Sequence, residues 1–143
     1  MPTIMLWPNP DAGTDDISAG IRTFRERRKP AWLHMFKNLP TPEYIHLMNT
    51  TACLVGNSSS GIREGTFIGT PVVDIGTRQR GRPHGRNVFH ADHDPLHILS
   101  AIKRQLKAGK RPRNPMYGDG KAGERIARIL GTEKVTIQKR LQY

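Results

Sequence analysis

The sequence predicts an α/β fold, a Rossmann-like parallel sheet wound with helices on both faces. Short apolar runs alternate with longer segments of helical period. Each run is closed by Pro, Gly, Asn or Ser, the residues that let a chain turn back. In sheets of this kind the loops after the strands gather on one edge, and ligands bind there.

The first run, Thr3-Ile4-Met5-Leu6-Trp7, reads as a strand, and Pro8-Asn9-Pro10-Asp11-Ala12-Gly13 reads as a loop of turn formers. Residues 14–28 put Ile17, Ile21 and Phe24 on one side at helical spacing. Asp15 and Asp16 near the start and the arginines at the end suit the helix dipole, so an amphipathic helix is expected. Residues 32–36 are a second strand. Pro40 and Pro42 punctuate the chain, and residues 43–48 form the next helix. Residues 52–56 and 70–75 are strands three and four, with a brief helix at 62–67 between them. Asn87-Val88-Phe89 is the fifth strand. Leu96, Leu99, Ile102 and Leu106 then mark the apolar face of a long helix, and residues 122–130 form the last one. All five strands are expected to lie parallel in one sheet, and the charged tail from Gly131 is expected to be partly ordered.

Composition narrows the function classes. A chain of 143 residues with 36% hydrophobic content suits one globular domain. The single Cys53 excludes an internal disulfide framework and reads as a small buried thiol. No charged-then-apolar leader opens the chain and no apolar run is long enough for a bilayer, so an intracellular, cytoplasmic protein without a membrane partner is expected. The formal net charge of +11 would suit nucleic acid, yet the basic residues are dispersed. Aromatics, at 6%, do not interleave with them as a stacking platform requires, so nucleic acid is not an expected partner. His90, His93 and His97 include an i, i+4 pair with Asp92 and Asp94 nearby. They lack a cysteine partner and a compact four-ligand pattern, so neither a metal nor any other cofactor is expected.

The chemistry concentrates in Leu54-Val55-Gly56-Asn57-Ser58-Ser59-Ser60-Gly61-Ile62-Arg63-Glu64 and in Gly69-Thr70-Pro71-Val72-Val73-Asp74-Ile75-Gly76-Thr77-Arg78-Gln79. A strand, a Ser/Gly turn, a short helix, a second strand and a basic loop make a unit whose turn can hold phosphate. Small residues let backbone N–H groups approach an anion, a helix start adds about half a positive charge, and hydroxyls add donors. The loops following the strands would then bring Asn9, Ser58, Ser59, Glu64 and Arg78 into one cleft. Structural roles stand beside these. Ser58 or Ser59 caps a helix, Glu64 is a solvated helix residue, Arg78 with Arg80 and Arg82 is an exposed charged turn, and Asn9 and Asp11 are turn residues.

Gly-Asn-Ser-Ser-Ser-Gly-Ile-Arg-Glu at 56–64, Gly-Thr-Pro-Val-Val-Asp-Ile-Gly-Thr-Arg-Gln at 69–79 with Gly81-Arg82, and Tyr117-Gly118-Asp119-Gly120 closely resemble the carboxyl-terminal half of UDP-N-acetylglucosamine 2-epimerases. The Asn-Ser-Ser-Ser and Gly-Thr-Arg-Gln forms, with Pro8-Asn9-x-Asp11-Ala12-Gly13, are most similar to the hydrolysing branch, which feeds sialic and related nonulosonic acid synthesis. The resemblance runs collinearly from about Thr3 to Leu130.

The resemblance implies the carboxyl-terminal domain of a glycosyltransferase-B fold over residues 1–131, followed by a charged tail at 132–143. It further implies that the family domain's first strand is absent, leaving a seam between the strands at 3–7 and 52–56. Ser58 and Ser59 would hydrogen-bond a diphosphate, Arg78 would offset its charge, Glu64 would accept from ribose hydroxyls, and Asn9 would lie near the nucleotide-sugar. Lys37, Asn38 and Leu39 would face uracil, and the Tyr117 to Gly120 segment is read as structural. The implied ligand is UDP-N-acetylglucosamine or a related UDP-sugar. Removal of the C2 proton as UDP leaves C1 gives a 2-acetamidoglucal, and addition of water gives N-acetylmannosamine. The family's acidic residues and histidine for that step have no counterpart here, so no catalytic residue is expected and an amino-terminal domain or polypeptide becomes a required partner. A homo-oligomer is a further expected association. The alternative is a basic, non-catalytic module for a nucleotide-sugar or nucleic acid.

Overall fold

The computed structural model describes residues 1–10 and 13–134. The Asp11-Ala12 part of the first loop and the tail beyond residue 134 lie outside the described residues. Contacts divide the chain into two compact units, Met1–His46 and Leu47–Tyr143.

In the first unit β1 (Thr3–Leu6) and β2 (Leu33–Phe36) pair in parallel, Thr3 opposite Leu33 and Leu6 opposite Phe36. Between them runs α1 (Thr14–Arg28), with the expected boundaries, acidic residues in its first turn and basic ones in its last. Its expected apolar stripe is not a core face. Ile17 and Phe24 are exposed, and the only buried residue of α1 is Ser18. A two-stranded sheet offers too little apolar surface to cover a four-turn helix. Phe24 does meet Trp32, ring centroids 6.5 Å apart. The helix expected at 43–48 is longer, α2 (Thr41–Thr50), because Pro42 falls in the first turn, where a missing N–H costs no hydrogen bond.

The second unit holds β3 (Leu54–Gly56), β4 (Val72–Ile75) and β5 (Val88–Ala91) in the order β3-β4-β5, all parallel. The five strands thus form two sheets where one was expected. β1 ends one of these sheets and β3 the other.

Side-chain alternation along β4 builds two cores. Val72 packs with Ile62, Val88 and Leu54, whereas Val73 packs with Ala91, Ala101, Cys53, Phe89, Ile98 and Ile102. The first core is closed by α3 (Ser59–Ile62) and α4 (Glu64–Ile68), the second by α5 (Pro95–Ala108), so helices cover both faces of β4. The face of α5 differs from the expected one. Leu96, Leu99 and Leu106 are exposed, while Ile98, Ala101, Ile102 and Gln105 turn inward at i, i+3, i+4 and i+7.

Buried polar groups fix the connections. Asn87 donates from Nδ2 to the Thr70 carbonyl at 2.9 Å and accepts from the Thr66 hydroxyl at 3.2 Å. Gln105 Nε2 donates to the carbonyls of Val72 and Asn87 at 2.7 and 2.8 Å, which locks α5 to β4. Gly69 ends α4 at φ 84°, and its carbonyl accepts from the Arg111 amide at 2.8 Å. Tyr117, in a 3-10 turn at Pro115–Tyr117, donates its hydroxyl to the Pro83 carbonyl. The last helix, α6 (Ala122–Thr132), is preceded by Asp119, which takes a two-point contact from Arg125 at 2.8 and 2.6 Å.

Candidate functional site

The carboxyl ends of β3 and β4 are level to within one residue, since Gly56, the last residue of β3, is opposite Asp74, the last but one of β4. The Ser/Gly turn and the arginine turn therefore leave the sheet side by side. Gln79 joins them, its Nε2 donating to the Asn57 carbonyl at 2.8 Å from a side chain that is 2% exposed. Each turn is also held internally. Ser58 caps α3 by accepting from the Ser60 amide at 3.3 Å, and the amides of Arg80 and Arg82 donate to the carbonyls of Thr77 and Gln79 at 3.1 and 3.3 Å.

The capping role is thus realised at Ser58, whose Oγ also lies 2.8 Å from that of Ser60. Ser59 is the first residue of α3 and half-buried. The helix expected at 62–67 is two short ones, broken at Arg63 with ψ −73°. A four-residue helix has too few aligned peptides for the macrodipole expected here, so anion affinity at this turn must come from individual donors. The amides of Ser58 and Ser59 stand at the start of α3, where N–H groups have no intrahelical acceptor, and are such donors. Gly61 keeps the turn against the sheet, because an added Cβ would sit 2.9 Å from Leu54 Cδ2 and 3.0 Å from Val72 Cγ1.

Glu64 opens α4, half-buried, and its carboxylate has no hydrogen-bond or ion-pair partner among the described residues. Arg78 is exposed in the turn after β4. In the other unit, Asn9 follows β1 and Lys37, Asn38 and Leu39 follow β2, so parallel pairing brings these segments to the same end of that sheet. The Asn9 carbonyl accepts from the Thr14 hydroxyl at 2.6 Å, and Asn38 Oδ1 accepts from the Leu39 amide at 2.9 Å. The expected site residues thus form two groups, Asn9 with Lys37, Asn38 and Leu39, and Ser58, Ser59 and Glu64 with Arg78, one in each unit.

Two features were not read from the sequence. One is the role of Gln79, which stands in the Gly-Thr-Arg-Gln motif although the motif does not reveal that its amide turns inward. The other is a chain of contacts at the ends of β4 and β5. The buried Asp74 carboxylate is 2.7 Å from His90 Nδ1, His90 Nε2 is 3.1 Å from His84 Nε2, and His84 Nδ1 is 3.0 Å from the Gly85 carbonyl. The three spaced histidines part company. His97 contacts Asp92 at 2.9 Å and His93 lies against Gly76. Among the described residues no three His, Cys, Asp or Glu side chains converge as metal ligands. No helix among them is long and apolar enough to cross a membrane. Burial pushes the Cys53 thiol up to about 11, partly countered by a backbone hydrogen bond with Val73.

Fold and edge together define a Rossmann-like α/β domain whose strand ends present hydroxyl, amide and guanidinium donors. A family model described as UDP-N-acetylglucosamine 2-epimerase matches residues 1–131, and the chain belongs to that family. It is 31% identical over 143 residues to a UDP-N-acetylglucosamine 2-epimerase of Neisseria meningitidis serogroup B, covering 96% of this chain and 37% of the relative. It is 33% identical over 129 residues to a UDP-N,N'-diacetylbacillosamine 2-epimerase (hydrolyzing) of Legionella pneumophila, covering 90% of this chain and 33% of that relative. A third relative, the GDP/UDP-N,N'-diacetylbacillosamine 2-epimerase (hydrolyzing) of Campylobacter jejuni, is 40% identical over 62 residues, 43% of this chain and 16% of its own length. The chain spans about a third of the length of the first two.

Proposed function

We propose that this chain is the UDP-binding part of a hydrolysing 2-epimerase acting on UDP-N-acetylglucosamine or a related UDP-sugar. The observation that supports it is the juxtaposition of the serine turn and the arginine turn at the level ends of β3 and β4. Ser58, Ser59 and the amides beside them donate to the diphosphate. With Ser60 Oγ as donor in the hydroxyl pair, the Ser58 O–H remains available for that bond. Arg78 offsets the diphosphate charge, and the Glu64 carboxylate accepts from the ribose diol.

In this reading the chain assists departure of UDP from C1 by stabilising charge, while the C2 proton is taken by groups on the part of the enzyme that accounts for the relatives' greater length. UDP is then expected to bind more tightly than uridine, because the diphosphate accepts most of the charge-assisted hydrogen bonds. Calorimetry giving equal affinities for the two, or no loss of UDP affinity on Arg78→Ala, refutes the site. Competition by nonspecific DNA with a steep salt dependence supports a basic binding module instead. The chain by itself is expected to leave UDP-N-acetylglucosamine unconverted. N-acetylmannosamine formed above the level of a Glu64→Ala control overturns that expectation.

A further inference from the structure

We propose that Gln79 is a positioning residue whose single hydrogen bond to the Asn57 carbonyl sets the spacing between the Ser58–Ser59 donors and Arg78, and with it the preference for a diphosphate-bearing ligand over the bare nucleoside. The inference rests on the UDP-binding reading above. Gln79 is 2% exposed, whereas Arg78 and Arg80 on either side of it are exposed. The backbone therefore sends one amide inward and two guanidinium groups outward.

Each turn is locally stiff, the first through the Ser58 cap and the Gly61 amide on the Ser58 carbonyl at 3.2 Å, the second through the Thr77 and Gln79 carbonyls and the Gly76 amide on Ala91 at 2.8 Å. A stiff turn transmits the position of one residue to its neighbour. The Gln79 bond at 2.8 Å therefore fixes Arg78 relative to Ser58.

Gln79 Oε1 is buried and has no hydrogen-bond partner, an unfavourable state for an amide oxygen. Turning the amide over would place that oxygen against the Asn57 carbonyl, acceptor facing acceptor, so the observed orientation is the one that makes a bond. A methionine of similar length would fill the space without an orphaned acceptor. What the amide adds is the donor toward Asn57. A glutamate would set a carboxylate against that carbonyl and drive the turns apart.

The test uses the full chain, with UDP and uridine as probes, in calorimetry paired with thermal melting of Gln79→Met and Gln79→Glu. Gln79→Met is expected to keep a cooperative melt, to bind UDP about tenfold more weakly and to bind uridine unchanged within about twofold, the size of effect that one misplaced hydrogen-bonding group produces. Gln79→Glu should lose more. As a readout in the unsubstituted chain, the Gln79 side-chain amide resonances in ¹H–¹⁵N spectra should shift on adding UDP and stay in place on adding uridine. If the unsubstituted chain prefers UDP but Gln79→Met keeps that preference, or the amide resonances ignore UDP, the positioning role is overturned and the UDP site stands. If Gln79→Met loses UDP and uridine affinity equally, Gln79 is structural only and the proposal is overturned. No preference for UDP in the unsubstituted chain, together with no effect of Arg78→Ala, removes both.

Discussion

Gly69→Ala should destabilise the second unit far more than the removal of one glycine normally does. Gly69 has φ 84°, a left-handed conformation that costs an alanine about 1 kcal/mol. The added methyl would overlap the Arg111 carbonyl oxygen and lie 2.8 Å from its carbon, and backbone cannot swing aside as a side chain can. Relief requires moving residues 111–114. That strains or breaks the Arg111 amide bond to Gly69 and the Asn114 amide bond to Thr66, at 2.8 and 3.3 Å, each worth about 0.5–1.5 kcal/mol. Conformation, two hydrogen bonds and residual overlap together come to about 3–5 kcal/mol, a large part of the ~5–15 kcal/mol that holds a domain folded. Gly81→Ala is the matched control, with φ 80° and open space around the methyl, and should cost only about 1 kcal/mol. Urea unfolding followed by far-UV circular dichroism is the assay, because Trp7 and Trp32 both lie in the other unit. A Gly69→Ala cost within error of the Gly81→Ala cost would refute the reasoning.

Asn87→Ala should cost about 2–4 kcal/mol in the same assay, since it takes the Asn87 donor from the buried Thr70 carbonyl and the acceptor from the Thr66 hydroxyl, which keeps the Gly85 amide, and a cost below about 1 kcal/mol would mean that water replaces the side-chain amide. Cys53, expected as a buried thiol, is half-buried; with its pKa raised from 9.0 to about 11 it should react slowly with iodoacetamide at about pH 8 relative to the urea-unfolded chain, and equal rates would contradict its partial burial. Because the folded state holds that proton more tightly, its contribution to stability is complete below pH 9.0 and is lost as pH rises toward about 11. Cys53→Ala should flatten the stability profile in that window, and an unchanged slope would assign it to other groups.

The sequence conveyed local order well and tertiary partners poorly, for physical reasons visible residue by residue. Thr14 and Arg28 bound α1 as read because acids, bases and the Lys29 turn mark helix ends locally. The face of α5 was misread because Gln105, a polar residue, turns inward while three leucines stay exposed, a choice made by the carbonyls of Val72 and Asn87 rather than by hydropathy. The break at Arg63 has no local signature, since Ile62-Arg63-Glu64 suits a continuous helix. Level strand ends bring Ser58, Ser59 and Arg78 to one edge, and the motif spacing made that legible. The bond between Gln79 and Asn57 joins two motif residues 22 apart in sequence, and neither motif shows that they touch.

β4 is flanked by strands on both sides, shares its two faces between separate cores and receives the Gln105 amide on one of its carbonyls. Hydrogen exchange should therefore find the amides of Val72, Val73 and Asp74 released only in the rare openings that unfold the whole unit, long after those of α6, none of whose side chains is buried. Motions that let a ligand in or out at the strand ends can then be fast without loosening the sheet, because the slowest-exchanging strand stands directly beneath the turns that would have to move.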